Sequence, residues 1–295
     1  MNALTYHSGS AFRRALEQRL NAKAISSGIP LVRLRKTVAF DRFLARLASA
    51  QPELWALKGG LALQLRLGGR SRTTKDIDLL SFSIEDQVLS LLREAAARDL
   101  GDWFRFEVAA PVQPSQPGQN GLRYSIQTLL DGRTFESFHV DVGVGDAVVE
   151  PLEFLVVTDL LGFADLSPTL FPCYPITQQI AEKFHAYTKP RKSGESSRVK
   201  DLVDILLLAE LQPISGIKLQ QAIQATFSTE STHPIPEDVA SPPAGWASEY
   251  RRLASDLSLT PLVLQQAFQL LQTFLDPVLA GEPPIEWDPK GKMWT

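Results

Sequence analysis

The stretch LKGGLALQLRLGGRSRTTKDIDLL, Leu57 to Leu80, places a glycine pair ahead of two aspartates. Asp76 and Asp78 are two residues apart and flanked by apolar residues, as in a short strand entering a core. Because side chains alternate along a strand, the two carboxylates point to one face and Ile77 points to the other. Two like charges this close repel each other, and burying them unpaired is costly. The stretch therefore predicts a bound cation.

A divalent cation and a phosphate group together account for the rest of this stretch. Mg²⁺, or Mn²⁺ in its place, takes oxygen ligands and is often held by one or two carboxylates plus substrate phosphates. Gly59 and Gly60 allow close approach of the backbone and direct N–H groups at phosphate oxygens, at the start of a predicted helix over 61–67. Lys58 adds positive charge. Aspartates at this spacing also occur on surfaces and as caps, so the glycine pair strengthens the prediction.

A third carboxylate, which a two-metal reaction commonly needs, is offered by the predicted strand FESFHVDVGVGD, residues 135–146. Alternate valines form one stripe in this strand, which places Asp141 on the opposite face. The neighbouring Gly143 leaves room for a ligand. A solvent-facing residue of an edge strand would show the same pattern, and Asp146, just past the strand, is a rival candidate.

Two later helices carry further polar residues at helical spacing. In PITQQIAEKFHAY, residues 175–187, Gln179 and Lys183 are four apart beside an apolar stripe, and a lysine there can reach a triphosphate. A single lysine on a helix is more often a solvent-exposed residue that binds no ligand. In RVKDLVDILLL, residues 198–208, Asp204 lies among apolar residues and needs a partner. That partner is a neighbouring lysine, a substrate group, or a structural ion pair between helices.

Length, composition and the mixture of helical and strand-like patterns indicate a protein of two domains and of the α+β or α/β class. The chain has 295 residues with 44% hydrophobic content, enough for a large core. We expect an N-terminal core over 1–155 with a basic helical start, and a mainly helical domain over 156–295. The single cysteine, Cys173, excludes an internal disulfide and fits a reducing cytoplasm. The first residues lack the apolar core of a signal peptide, and no run is long enough to span a membrane.

The charge distribution is uneven along the chain. Residues 1–75 contain 14 lysines and arginines but three acids, a net charge of +11. Such a segment favours a polyanionic partner, although a solvated helical face offset by the acidic remainder is the alternative. If they share one face, five of these residues would follow a phosphate backbone toward the aspartates: Arg33, Arg35, Lys36, Arg42 and Arg46.

Five ordered motifs, LKGGLAL, TKDIDLL, VDVGVGD, QQIAEKFHAY and RVKDLVDILLL, together resemble the AbiEii/AbiGii-type toxin nucleotidyltransferases, which include the MenT toxins. The resemblance extends from about Lys58 to Leu208. These proteins are toxins of bacterial toxin–antitoxin and abortive-infection systems. The resemblance implies a DNA polymerase β-like nucleotidyltransferase core followed by a mainly helical C-terminal domain.

The same resemblance assigns roles to individual residues. Nucleotide binding falls to Lys58, Gly59, Gly60, Gln179 and Lys183, metal binding to Asp76, Asp78 and Asp141, and catalysis to Asp76, Asp78, Asp141, Lys183 and Asp204. One position departs from the pattern, because the wider superfamily often has a serine where Leu61 follows the glycines. Ser71, Thr73 or Thr74 would have to replace its phosphate contact.

The expected function is that of a cytoplasmic bacterial toxin that transfers nucleotides from an NTP to the 3′ end of an RNA. The resemblance points to tRNA as the acceptor, which blocks translation, and to a cognate antitoxin as a partner. A small-molecule or protein side-chain acceptor is the first alternative. A non-catalytic nucleotide-binding module is the second. We expect Asp76, Asp78, Asp141 and Lys183 to converge on one cleft.

Overall fold

Two compact units make up the chain, whose computed structural model describes residues 6–112, 121–157, 159–190 and 198–295. The first unit runs to Arg66 and adds Thr73–Gly145 and Glu153–Cys173. The second contains Leu67–Arg72, Asp146–Leu152 and Tyr174–Thr295. The first unit therefore continues past residue 155, where the sequence placed the end of the core. Two polar segments whose composition predicts loops, PVQPSQPGQNG (111–121) and TKPRKSGESSR (188–198), fall largely outside the described residues.

Over the residues that the structure describes, the first unit combines four α-helices with a seven-stranded sheet. Its helices are α1 (Gly9–Ser27), α2 (Leu31–Ala50), α3 (Gly59–Leu67, its last residue counted with the second unit) and α4 (Glu85–Ala96). Its strands are β1 (Trp55–Lys58), β2 (Asp76–Ser81), β3 (Phe104–Val108), β4 (Leu122–Leu130), β5 (Arg133–Val144), β6 (Glu153–Val156) and β7 (Leu170–Cys173).

The sheet is mixed, with the order β3-β4-β5-β2-β1-β7-β6. The pairs β2–β5 and β1–β7 are parallel, and the other neighbours are antiparallel. Its apolar face packs against α2, where Phe40 contacts Phe138 at 5.0 Å between ring centroids and Phe43 contacts Phe106 at 5.3 Å. The opposite face of the central strands carries polar side chains, and it is there that the predicted aspartates lie.

Strands β6 and β7 correct the expectation that the chain turns mainly helical from about Leu152. Both are four-residue strands, and β7 joins the sheet beside β1, with Cys173 opposite Leu57. Short apolar runs of this kind cannot be assigned to helix or strand from periodicity. Their place in the sheet comes from pairing with a strand more than a hundred residues earlier in the chain.

Helix α2 corrects a second expectation, that Arg42 and Arg46 lie on an outer face that follows RNA. Arg46 is fully buried and donates to both carboxylate oxygens of Asp102, at 2.7 and 3.0 Å. Arg42 is 4% exposed, and its guanidinium lies 2.8 Å from Asp41. A buried arginine is tolerated when paired in this way. The prediction was wrong because the partner carboxylate of Arg46 lies 56 residues further along the chain.

Much of the remaining basic charge of residues 1–75 is also paired within the protein. In the first unit Arg13 donates to the carbonyl oxygens of Leu130 and Arg133, and Arg35 binds Glu17 at 2.7 Å. Each arginine neutralised by an internal carboxylate adds little attraction for a polyanion. Further ion pairs of this segment are Arg66–Glu153, Arg70–Glu210 and Arg72–Asp204.

The second unit is mainly helical with one small sheet. Its helices are α5 (Ile176–Thr188), α6 (Val199–Ala209), α7 (Gly216–Glu230), α8 (Ala247–Asp256) and α9 (Leu264–Leu279), and its strands are β8 (Ile214–Ser215), β9 (Glu286–Asp288) and β10 (Met293–Trp294). None of the helices in the described part of the chain is both long and apolar enough to cross a membrane.

The composition of the C-terminal tail, GEPPIEWDPKGKMWT (281–295), predicts irregular structure with Trp287 and Trp294 as anchors, but the tail forms strands β9 and β10. Trp287 is 1% exposed, and its indole N–H donates to the carbonyl oxygen of Ala209 at 2.9 Å. Trp294 stacks on Phe274 with 5.6 Å between ring centroids. The two tryptophans therefore anchor the tail, as predicted.

Candidate active site

Strands β2 and β5 bring three predicted carboxylates onto one face of the first unit's sheet. Their parallel pairing sets Asp76 opposite His139 and Asp78 opposite Asp141. Residues directly opposite each other on neighbouring strands project to the same side. The other side carries the apolar residues of the same strands, which are buried under the helices. The alternation of side chains thus produces a local acidic face.

Lys58 joins this face from the other neighbour of β2. It ends β1 and pairs with Asp78 in the antiparallel register. The side chain is partly buried, as are those of the aspartates. The predicted nucleotide-binding lysine therefore lies within the acidic face.

Gly59 and Gly60 pack directly against Asp78 at the start of α3. Gly59 has a φ of +62°, and a Cβ at this position would collide with the Asp78 carboxylate. The N–H of Gly60 donates to Oδ2 of Asp78 at 3.1 Å. The exposed N–H groups of a helix start attract negative charge. At the predicted phosphate-binding loop, the backbone therefore lies very close to the Asp78 carboxylate. Any side chain at position 59 would disrupt this packing.

Thr74 is the hydroxyl residue best placed to replace the missing serine of the loop. A Cβ on Gly60 would lie 2.9 Å from its Oγ1, and that hydroxyl donates to the carbonyl oxygen of Asp76 at 3.0 Å. Ser71 instead donates to the carbonyl oxygen of Gly68. Of the candidates raised by the sequence, Thr74 is therefore the one beside the glycine pair.

Arg123, on β4, holds two of the carboxylates together. Its guanidinium makes two hydrogen bonds to Asp141, at 2.7 and 2.6 Å, and lies 3.4 Å from Oδ2 of Asp76. The hydrogen bonds to Asp141 raise the pKa of Arg123 above its usual value, against the opposing effect of partial burial. His139 faces the other oxygen of Asp76 at 3.3 Å. All four side chains remain partly exposed to solvent.

Sequence reasoning did not identify Arg123. The one available signal was the alternation of LRYSIQTLL, in which Arg123, Ser125 and Gln127 share the polar side of a strand. That pattern predicts the face of the strand on which Arg123 lies, but not the residue that it binds. Its partner, Asp141, is 18 residues away and belongs to the next strand.

The chemistry of this face fits a divalent cation. Its donors are carboxylate oxygens, which Mg²⁺ and Mn²⁺ prefer, and Arg123 shows that a positive group is accommodated between Asp76 and Asp141. Within the described ranges, no three His, Cys, Asp or Glu side chains form a group arranged to hold a metal ion. The carboxylate of Asp78 instead accepts a hydrogen bond from the N–H of Gly60. Metal binding by Asp76, Asp78 and Asp141 therefore stays a prediction.

The remaining predicted residues lie in the second unit, where α5 and α6 share a network of ion pairs. Lys183 binds Asp204 at 3.0 Å and Asp201 at 3.3 Å. Burial alone would lower the pKa of Lys183, but the charges of Asp204 and Asp201 outweigh it and raise that pKa. Arg72 donates to the same Asp204 carboxylate at 3.0 Å.

Gln179 is one turn before Lys183 on α5 and is 4% exposed. The basic partner that Asp204 required is present in the form of Lys183 and Arg72. Whether Gln179, Lys183 and Asp204 also contact a nucleotide stays a prediction, as does their convergence with the aspartates of the sheet.

Comparison with known proteins shows where this architecture recurs. MenT4, a nucleotidyltransferase toxin from Mycobacterium tuberculosis, aligns with a TM-score of 0.57 over 90% of this chain and 98% of its own, at 16% sequence identity. JHP933 from Helicobacter pylori aligns with a TM-score of 0.43 over 84% and 91%, at 14% identity. No curated protein sequence matches the chain. The likeness to MenT4 confirms the predicted α+β nucleotidyltransferase fold.

The family model described as "Nucleotidyl transferase AbiEii toxin, Type IV TA system" matches residues 42–290. The match includes the glycine pair, the aspartates of β2 and β5, and the polar residues of α5 and α6. The chain therefore belongs to the AbiEii family of nucleotidyltransferase toxins of toxin–antitoxin systems.

Proposed function

We propose that this protein is a metal-dependent toxin enzyme that transfers a nucleotide from an NTP to the 3′ end of an RNA, with tRNA as the acceptor. One observation carries the proposal of nucleotidyl transfer. It is the acidic face formed by Asp76, Asp78 and Asp141 next to the glycine start of α3. Carboxylates for a cation and backbone N–H groups for a phosphate are the two components that such a transfer needs.

In this mechanism the residues of the first unit position the reactants. The N–H groups at Gly59 and Gly60 and the ammonium of Lys58 bind triphosphate oxygens. Asp76 and Asp78 would hold the cation. Asp141 accepts the proton of the RNA 3′ hydroxyl, whose oxygen attacks the α-phosphorus of the NTP while the bond from that phosphorus to the leaving pyrophosphate breaks. Bound there, a divalent cation would supply Lewis-acid activation of the hydroxyl and neutralise charge on the leaving pyrophosphate.

Positioning and electrostatics account for most of the rate enhancement in phosphoryl-group transfer. By family resemblance we also assign Gln179 and Lys183 to nucleotide binding and Asp204 to the support of Lys183. The contact of Lys183 with Asp204 agrees with this supporting role.

A tRNA acceptor explains how such an enzyme acts as a toxin. A tRNA extended at its 3′ end cannot be aminoacylated, and translation stops. The toxin–antitoxin family implies an antitoxin partner, and we propose that the enzyme acts in the cytoplasm, where tRNA is found.

The test is incubation of the purified protein with each labelled NTP, Mg²⁺ and total RNA, followed by gel analysis. We expect label in the tRNA band, and none when the 3′ ribose has been oxidised with periodate or when Asp78→Asn replaces the wild type. Equal labelling of intact and oxidised tRNA would exclude 3′-end transfer. Label on protein alone, or on a small molecule, would instead support one of the other acceptors.

A further inference from the structure

The polar face of the first unit's sheet carries a groove that begins at the acidic cluster. The groove has a volume of about 790 Å³. Asp76 and Arg123 line the end nearest the cluster, and Glu107 of β3 lines the edge of the sheet. All of its lining residues belong to the first unit. We refer to it below as the β3–β5 groove.

Polar side chains of β4 and β5 line part of the β3–β5 groove, beside apolar residues such as Ile126 and Phe138. Ser125 pairs with His139 and Gln127 pairs with Ser137 across β4 and β5. Ser125, Gln127 and Ser137 are exposed. These hydroxyl, amide and imidazole groups offer both donors and acceptors. Ribose hydroxyls and phosphate oxygens, which are also donors and acceptors, are suitable ligands for such a lining.

Positive charge is available along the rim of the groove. Lys75 is exposed and forms no ion pair with any residue that the structure describes. Lys36 donates to the carbonyl oxygen of Ser137 at 3.0 Å and lies 3.7 Å from Glu136. These lysines are the members of the basic N-terminal segment that face the groove, whereas Arg42 and Arg46 are buried. Lys75 is therefore the exposed cation of this rim, and such a charge favours a phosphate backbone.

We propose that the β3–β5 groove binds the single-stranded 3′ end of the RNA acceptor and directs its terminal hydroxyl toward Asp76 and Asp141. The proposal rests on the proposed function and adds to it the place where the acceptor lies. The volume is within the ~300–1,000 Å³ of small-ligand sites. The groove therefore holds the last few nucleotides, whereas the folded body of the RNA stays outside.

The experiment compares Ser125→Trp, which fills the groove from an exposed strand position, with Ser90→Trp, the same change at an exposed position of α4 outside it. Fluorescence anisotropy measures the affinity for a 5′-labelled, 12-nucleotide single-stranded RNA. We expect Ser125→Trp to weaken binding at least tenfold, about 1.4 kcal/mol, and Ser90→Trp to bind like the wild type. Affinity for a fluorescent ATP analogue should be the same in all three proteins, and their circular dichroism spectra should agree.

Lys75→Glu tests the electrostatic part of the proposal independently. We expect weaker RNA binding and a salt dependence reduced by about one phosphate contact. Anisotropy does not require turnover, so the groove is tested even if the wild type labels no RNA. If the wild type binds RNA without labelling it, weaker binding by Ser125→Trp than by Ser90→Trp still supports the groove. Wild-type affinity in both Ser125→Trp and Lys75→Glu, or no RNA binding by the wild type, overturns it.

Discussion

Two groups of carboxylates in this chain have opposite environments. In the first unit, Asp76 and Asp141 share one guanidinium, that of Arg123, and their side chains are 29% and 32% exposed. In the second unit, Asp201 and Asp204 are 6% and 0% exposed.

The two groups of carboxylates differ in the number of cations that contact them as well as in their exposure to solvent. Lys183 contacts both buried carboxylates, Arg72 binds Asp204, and Arg198 binds Asp201 at 3.2 Å. A buried ion pair is expensive to break, because one partner is left charged in a medium that solvates it poorly. A partly exposed carboxylate that loses its cation is solvated by water instead. We therefore expect the first group to exchange its cation, and the second to connect α5 and α6 in addition to the nucleotide contact proposed for Lys183.

The largest effect is expected for Asp78→Asn, which tests the acidic face as a site of chemistry. The amide oxygen still accepts the hydrogen bond from Gly60, but one negative charge is lost. We expect nucleotide transfer to fall by at least about 10³-fold, since single members of a catalytic unit contribute on this scale. The free energy of unfolding should be unchanged or higher, because like-charge repulsion is relieved. Transfer assays and urea denaturation measure the two effects. Transfer at near-wild-type rate with Mg²⁺ would show that the site is assigned wrongly.

Lys183→Met tests the second group as a structural connection. The substitution leaves Asp204 buried with Arg72 alone, so we expect the free energy of unfolding to fall by about 3 kcal/mol, the range found for broken buried pairs. Lys183→Arg keeps the charge and is the matched control, with most of the stability retained. Urea denaturation gives both values. If Lys183→Met is as stable as the wild type, the network does not hold the helices together.

Acid should also affect the second unit, through His185. Burial, and then the neighbouring His233, lower the pKa of His185 to about 4. In an unfolded chain the pKa is about 6.5, so between these values the unfolded state binds the proton more tightly. Stability is therefore fully present above about pH 6.5 and decreases as the pH falls toward 4, by at most about 3 kcal/mol.

Urea denaturation at a series of pH values measures this contribution. The variant His185→Gln has no titrating group at this position, and its stability should depend less steeply on pH over the same range. Parallel curves for the variant and the wild type would mean that His185 does not account for the acid sensitivity.

The smallest effect is expected for Arg123→Gln, which tests whether the first group exchanges its cation. Removing the guanidinium eliminates a competitor for Asp76 and Asp141, so Mn²⁺ should bind about tenfold more tightly, or ~1.4 kcal/mol. Arg105→Gln, at an exposed position of β3, is the control and should leave the affinity unchanged. Isothermal titration calorimetry measures the binding directly. An equal or lower affinity in Arg123→Gln would indicate that the guanidinium supports the metal site and does not compete for it.

Local patterns were sufficient to predict the orientation of the acidic face. The alternation of DIDLL and FHVDVGV places Asp76, Asp78 and Asp141 on polar sides of their strands, and the register of β2 and β5 agrees with it. The patterns of residues 10–25 and 84–98 likewise predict helices, and α1 and α4 lie within a few residues of these bounds. These features depend on residues two to four positions apart, which is the range over which backbone periodicity acts.

The partners of charged residues were not predictable in this way. Arg46 was expected to face solvent, but it is buried against Asp102, and Arg123 was overlooked although it holds Asp141. A helical or strand period tells which way a side chain points, but not what the fold places in front of it.

The sequence by itself therefore determined the family, the α+β class and the common face of the aspartates, because these follow from ordered motifs and short-range alternation. Only the tertiary structure decided which arginines remain available to a ligand and which are used internally. It did so through pairings such as Arg46 with Asp102 and Arg72 with Asp204, 56 and 132 residues apart. The physical reason is that the energy of a charge depends on its burial and its partner, and both are set by contacts that join distant parts of the chain.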